Sequence, residues 1–303
     1  MSVARLRLER AVPALEAFHR LYAGDRYAFL CESLGEAGRN RFSFLGGRPT
    51  LVHRSFPSEI TVEEVESGLV RVDSRDLLDS IRALLSETEA VREVAPFSSG
   101  LVGYLGYDVV RRFERLPSSP PDSEGLPDSV LLAPSEIVVV DHEAATTDIV
   151  VHGGQEGAAR LAEIRSQLEG DRAEPDRVRP APEPVAFRPR TRQSLFEAGV
   201  ERILEHIRAG DIFQGVLSQR FEADFDGDPL DLYRALRETN PAPYMYFLRL
   251  GPDHAVLGSS PEVLVSLDGR HAITRPLAGT RPRGASPSED ARNASDLLSD
   301  EKE

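Results

Sequence analysis

The stretch TRPLAGTRPRG, residues 274–284, holds three arginines, two prolines and two glycines in eleven positions. Proline fixes φ and removes an N–H, and glycine lets backbone approach a ligand closely. Arginine offers a planar fork of donors that suits carboxylates. Two readings fit: a stiff cationic loop that presents backbone N–H groups and a hydroxyl to an anion, or an Arg/Pro-rich surface turn between a strand and a helix. HAIT leads into the loop, and residues 286–303 start a helix with a very acidic first turn.

Upstream, HAVLGSSPEVLVSLDG reads as a hairpin-like pair with a Ser-Ser-Pro-Glu corner, and NPAPYMYFLRL as a strand. Before it, DPLDLYRALRET is a helix with an Asp N-cap and a proline in its first turn. Residues 191–210 carry Leu195, Val200, Ile203, Leu204 and Ile207 at helical spacing, and Gly210 is placed to cap the C-terminus. DIFQGVLSQRFEADF, between the two helices, reads as a strand. Residues 170–190 are rich in proline, arginine and acid and poor in apolar side chains, which is linker composition. The expected domains are therefore 1–169 and 191–303, joined by that linker.

In the first half, Val3, Leu6 and Leu8 alternate ahead of a short helix over Ala14–Tyr22. YAFLCESL at 27–34 is a buried strand with Glu32 and Ser33 at its end, and RFSFLG at 41–46 is a second. Residues 48–73 predict further short strands. Asp76–Ser86 has one apolar helical face. Residues 99–116 fit a strand packed against another backbone and then a helix. SEIVVVDHE and TTDIVVHGG form a strand pair, and 155–169 is a helix with Leu161, Ile164 and Leu168 on one face.

The net charge is −14, from 50 acidic and 36 basic residues, only one of which, Lys302, is lysine. Such a field disfavours nucleic acid or anionic lipid as a partner. It also suggests a high-GC genome, adaptation to high salt, or both. Schiff-base and lysine-nucleophile chemistry are closed to residues 1–301. No apolar run approaches membrane-spanning length, and the N-terminus lacks the apolar core of a signal peptide. The single cysteine, Cys31, rules out a disulfide framework within the chain and fits a reducing cytoplasm. There is no dinucleotide fingerprint, no nucleophile elbow and no structural metal spacing. Asp300, Glu301 and Glu303 at the end either coordinate a hard cation such as Mg²⁺ or form a charged helix face.

Taken in order, GDIFQGVLSQRF (210–221), NPAPYMYFL (240–248), GSSPEVLV (258–265), RPLAGTRPRG (275–284) and the terminal DEKE resemble the chorismate-utilising enzymes. CES (31–33), RFSFLG (41–46) and GLVGYLGYDVVRRFERLP (100–117) resemble the N-terminal domain of anthranilate synthase component I. The resemblance implies an α+β fold of large antiparallel β-sheets packed as a sandwich with helices outside. It implies conversion of chorismate and ammonia to anthranilate and pyruvate, with Mg²⁺ holding the ring carboxylate. Ammonia would come from a glutamine amidotransferase subunit in a heterotetramer. Gly279 and Thr280 would bind chorismate, and Glu303 would lie at the metal–chorismate edge. Aminodeoxychorismate synthases commonly carry a nucleophilic lysine where this chain has Ala278, which favours the anthranilate branch. Isochorismate and salicylate synthases also lack that lysine but resemble the first half less. The resemblance further implies a feedback site for L-tryptophan at Glu32, Ser33, Asn240, Pro241, Pro243, Tyr244 and Met245.

Family members continue past the KE of DEKE to further Mg²⁺ ligands, a histidine and a substrate-gripping arginine. The expectation is thus a chain incomplete at its C-terminus and unable to turn over chorismate alone. Two other classes stay open: a non-catalytic tryptophan-binding module, and a structural partner that only docks the amidotransferase.

Overall fold

The computed structural model describes residues 3–34, 41–88, 95–117, 122, 124–170, 185–276 and 279–301. It divides into two compact units, one of Met1–Pro175 with Tyr233–Glu303 and one of Asp176–Leu232.

The first unit is built on one antiparallel sheet of ten strands. These are β1 (Val3–Leu8), β2 (Tyr27–Glu32), β3 (Phe42–Ser55), β4 (Ile60–Glu64), β5 (Leu69–Val72), β6 (Val102–Leu105), β7 (Ser129–Asp141), β8 (Thr146–His152), β11 (Tyr244–Gly251) and β12 (His254–Ser260). The order is β1-β8-β7-β3-β2-β11-β12, with β4 on β3, β5 on β4 and β6 on β7. The long strands β3 and β7 run through two wings. In one wing Phe42–Gly47 faces Glu136–Asp141, and in the other Leu51–Ser55 faces Ser129–Ala133.

Between the wings the register shifts from Pro49 to Leu51, and Arg48 takes a left-handed φ of 48°. Glycine is required at this bend. A Cβ on Gly46 would lie 2.2 Å from the Glu136 carbonyl oxygen, and one on Gly47 would lie 2.8 Å from the Tyr22 ring. The wings face each other. The Tyr27 hydroxyl donates to Glu63 Oε2 at 2.9 Å, and the Tyr104 and His254 rings stand 5.9 Å apart. The expected sandwich is therefore a single hydrogen-bonded sheet folded over at β3 and β7. The short strands expected after residue 48 begin instead within one strand of 14 residues, β3.

Tyr27, Phe29, Val52, Val130, Leu132, Leu248 and Leu250 form one core cluster fed by both wings. β2 is buried on both faces, which explains its unbroken apolar run. Three helices cover the sheet: α1 (Ala14–Tyr22), α2 (Leu77–Thr88) and α3 (Gly154–Glu169). α1 buries Phe18 edge-on against Phe247 at 5.5 Å between centroids, burial worth about 2 kcal/mol by area. A 3₁₀ turn, Tyr107–Arg112, follows β6 where a helix is expected.

In the second unit, α4 (Gln193–Ala209) ends as read from the sequence. Gly210 has φ 81° and its N–H donates to the His206 and Ile207 carbonyls. The strand expected over DIFQGVLSQRFEADF is reduced to β10 (Phe221–Glu222), paired with β9 (Arg188–Pro189). Phe213 is 94% exposed and Val216 87%. An apolar run becomes a strand only where another strand accepts its hydrogen bonds. Here that partner among the described residues is two residues long.

Helix α5 (Pro229–Thr239) follows Asp228, whose carboxylate accepts from the Leu230 N–H at 2.9 Å. Residues 233–303 group with the first 175 residues, so β11 and β12 extend the sheet of the first half. The expected linker lies mostly outside the described residues. β13 (Ser266–Asp268) and β14 (His271–Ile273) form a separate hairpin, and α6 (Pro287–Ser299) closes the described chain. Among the described residues no helix is long and apolar enough to cross a membrane.

Candidate functional site

The first group of expected site residues assembles on β2 and β11. Met245 lies opposite Glu32 in register, and on its other side it faces Ser259 of β12. Met245 and Glu32 are both buried. The Ser33 hydroxyl donates to the Phe42 carbonyl at 2.6 Å, and the Ser33 N–H donates to the Ser43 hydroxyl at 3.1 Å. Asn240 ends α5, its N–H donating to the Leu236 carbonyl, and its carbonyl accepts from the Ser259 hydroxyl at 2.6 Å. Pro241 is exposed, while Pro243 and Tyr244 are half-buried. These residues, 32–33 and 240–245, thus meet at one end of the central strands.

Glu32 is not an open carboxylate. Its Oε2 accepts from the Tyr233 hydroxyl at 2.7 Å and from Arg237 Nε at 3.0 Å. Burial and the Glu32 charge hold the Tyr233 phenol protonated, its pKa pushed far up. Neither partner was singled out in the sequence. The available signal is spacing: positions 233 and 237 are four apart on a helix and therefore share a face. That helix ends directly before NPAPYM.

The second group is the loop. Gly279 is half-buried and Thr280 exposed, and the Thr280 hydroxyl makes no hydrogen bond among the described residues. Ala278 and Glu303 lie outside the described residues. The loop's cationic character is largely spent on its own helix. Arg281 Nε donates to Asp296 at 2.8 Å and Nη2 to Asp300 at 2.7 Å. Arg283 Nη1 reaches Asp290 at 2.9 Å, and the Gly284 N–H donates to the same carboxylate at 2.9 Å. That N–H and Arg283 hold the Asp290 carboxyl below its usual range. Arg281 and Arg283 therefore clamp the loop to α6. What remains for an anion is the exposed Arg275 side chain, the backbone at Gly279 and the Thr280 hydroxyl.

No three His, Cys, Asp or Glu side chains converge into a metal-binding cluster among the described residues. Asp300, one of the carboxylates read as a hard-cation ligand, is paired with Arg281. The described residues do not by themselves fit a Mg²⁺ ion.

The family described as chorismate binding enzyme matches residues 44–303, and the chain belongs to it. Within that class it is similar to anthranilate synthase component 1. The Thermus thermophilus protein of that name is 40% identical over 299 residues, covering 95% of this chain and 61% of the relative. That of Cereibacter sphaeroides is 38% identical over 293 residues, covering 91% and 58%. The solved anthranilate synthase component I of Streptococcus pneumoniae superposes with a TM-score of 0.70 at 30% identity, covering 96% of this chain and 63% of that one. The menaquinone-specific isochorismate synthase of Escherichia coli, at TM-score 0.53 and 14% identity over 99% of this chain and 60% of that one, shares the fold. The chain spans about three fifths of the length of the curated relatives it matches.

Proposed function

We propose that this chain carries the regulatory half and part of the chorismate site of an anthranilate synthase component I. The observation that carries the reading is that relatives so named align over 91–95% of the chain, through both halves. In this reading Gly279 presents its N–H and Thr280 its hydroxyl to a carboxylate of chorismate. Preorganised donors of this kind stabilise charge without reorganising during reaction. Ala278, lacking an amine, leaves the ring open to ammonia delivered by a glutamine amidotransferase subunit, within a heterotetramer. The products are anthranilate and pyruvate. Mg²⁺ would supply charge neutralisation at the substrate carboxylate, near Glu303. The boundary between regulatory and chorismate-binding segments falls in 170–190, and Cys31, half-buried with its thiol pushed up to about 12 by desolvation, suits a cytoplasmic setting.

The second half of the proposal is feedback by L-tryptophan at the Glu32–Met245 end. Glu32, through Oε1, the oxygen that Tyr233 and Arg237 do not use, would meet the α-ammonium, and Pro243 and Met245 would pack the indole. Calorimetry of the purified chain with L-tryptophan tests this. Saturable binding, weakened about tenfold by Glu32→Gln through loss of a charge-assisted bond, is expected. Absence of binding, or binding indifferent to the substitution, overturns it. Chorismate with ammonia and Mg²⁺ is expected to give no anthranilate fluorescence with these 303 residues alone. Product formation would refute that part. Tryptophan binding without any chorismate binding would favour the non-catalytic module instead.

A further inference from the structure

Two equally buried glutamates of the first unit are met by arginine in different ways. The side chains of Glu136 and Glu32 are each 3% exposed. Arg160 meets Glu136 with two nitrogens on two oxygens, Nε to Oε1 at 2.7 Å and Nη2 to Oε2 at 3.1 Å. Arg75 does the same at Asp73, with Nε to Oδ1 at 2.9 Å and Nη2 to Oδ2 at 2.7 Å. This forked fit is how an arginine compensates a carboxylate most fully. Arg237 departs from it. It gives Glu32 Nε alone, at 3.0 Å, and on Oε2, the oxygen that already accepts from the Tyr233 hydroxyl.

The offset leaves hydrogen-bonding capacity on both members of the pair. Glu32 Oε1 accepts from no described residue, and Arg237 Nη1 and Nη2 donate to none. None of these three atoms is among the unpartnered atoms closed off from solvent, so each is open to a molecule from outside. The Arg237 side chain is 33% exposed and stands in the last turn of α5. A carboxylate has about four acceptor positions and a guanidinium five donors, and the pair uses only a part of each. Tyr233, one turn earlier on the same helix face, fixes the carboxylate from the buried side.

We propose that Arg237 is the carboxylate receptor of the Glu32 site, so that the pair selects ligands bearing an α-ammonium and an α-carboxylate. The proposal rests on the tryptophan reading above and adds to it the residue that separates an amino acid from an amine. The ammonium takes Glu32 Oε1, and the carboxylate takes the Arg237 Nη groups. The two receptor groups stand one hydrogen bond apart, which matches two charges carried on one carbon. Glu32 and Arg237 already balance each other. A zwitterion therefore enters without adding net charge beside the buried Glu32 and Met245, whereas an amine or an acid alone brings a charge that the site must desolvate unpaired.

The test titrates the purified 303-residue chain with L-tryptophan and with tryptamine, which lacks the carboxylate, by calorimetry and by ligand-observed NMR. The unaltered chain is expected to bind L-tryptophan about tenfold or more tightly than tryptamine, the worth of a charge-assisted bond. Arg237→Met is expected to bring the two affinities within about twofold of each other by weakening L-tryptophan. Arg237→Lys, a point charge without the fork, is expected to leave the ratio in between. An arginine that only held the fold would, on removal, weaken both ligands alike. An unchanged ratio in Arg237→Met, or equal binding of the two ligands by the unaltered chain, therefore overturns the proposal. Should Arg237→Met fail to fold, an unchanged ratio in Arg237→Lys overturns it. Absence of L-tryptophan binding by the unaltered chain refutes the tryptophan reading itself, whereas L-tryptophan binding with an unchanged ratio refutes only the role of Arg237.

Discussion

The Tyr233 hydroxyl donates to Glu32 Oε2 at 2.7 Å, joining residues 201 positions apart in the chain. Tyr233 is fully buried and Glu32 nearly so, and Arg237 supplies the second donor to the same oxygen. Removing one donor from a buried carboxylate leaves its desolvation partly uncompensated. Tyr233→Phe is therefore expected to lower unfolding free energy by about 1–3 kcal/mol, read from urea denaturation. Glu32→Gln should cost less, because the Arg237 side chain is 33% exposed and reaches water. The reverse ranking would show that the pair is not what holds α5 to β2.

The bend of β3 yields a sharper steric prediction. A Cβ on Gly46 would sit 2.2 Å from the Glu136 carbonyl oxygen and 2.7 Å from the Phe29 ring. The first contact is backbone, so no side chain can swing away to relieve it. Gly46→Ala is expected to destabilise by roughly 1–3 kcal/mol or more, as overpacking does. Gly24→Ala, where a Cβ meets nothing within 4 Å, serves as the control. Equal denaturation midpoints for the two variants would refute the close approach.

That bend also marks where the sequence stops being legible. Gly46, Gly47 and Pro49 look like punctuation between two strands, because glycine and proline usually end elements. Here the glycines instead make room for Phe29 and Tyr22, which lie far off in the chain. Local signals did better. The Gly210 cap and the Asp228 N-cap depend on neighbours within a few residues and fell where expected. The strand expected at 211–225 needed a partner that periodicity cannot supply. At the candidate site, Glu32 and Met245 were singled out from their motifs, and they lie opposite each other in register. Tyr233 and Arg237 were not, because their role depends on which helix face turns toward β2.

The loop that carries Gly279 and Thr280 is held by contacts to α6 that one substitution can break. A Cβ on Gly284 would lie 2.2 Å from the Asp290 backbone nitrogen, while the Gly284 N–H donates to the Asp290 carboxylate. Gly284→Ala must separate the loop from the helix start. Hydrogen exchange of the α6 amides is expected to quicken about tenfold, equivalent to ~1.4 kcal/mol of local opening. Global stability should change less, since no residue of α6 is buried. Unchanged exchange would show that α6 is not held by this loop.

Two buried groups set opposite ends of the acid response. His53 is 1% exposed and meets the Ser80 hydroxyl at 3.0 Å, and Ser80 in turn donates to Asp73 at 2.6 Å. Burial lowers the His53 pKa below its ordinary 6.5, with Asp73 opposing and Arg75 assisting. Below pH 6.5 the unfolded chain therefore binds a proton that the folded chain refuses, and stability falls as pH drops from about 7 toward the lowered folded value. His254, also lowered by burial, adds to the same slope. Asp141 acts further down. Its hydrogen bonds from Arg41 lead the causes that hold its carboxyl at about 2, so its contribution is complete above the ordinary 3.8 and is lost as pH falls through about 2. Denaturation midpoints measured from pH 7.5 to 2 should fall in two stages. His53→Gln should flatten the upper stage and leave the lower one, and Asp141→Asn should do the opposite. A His53→Gln chain with an unaltered slope between pH 7 and 5 would show that this histidine is protonated as readily in the fold as outside it.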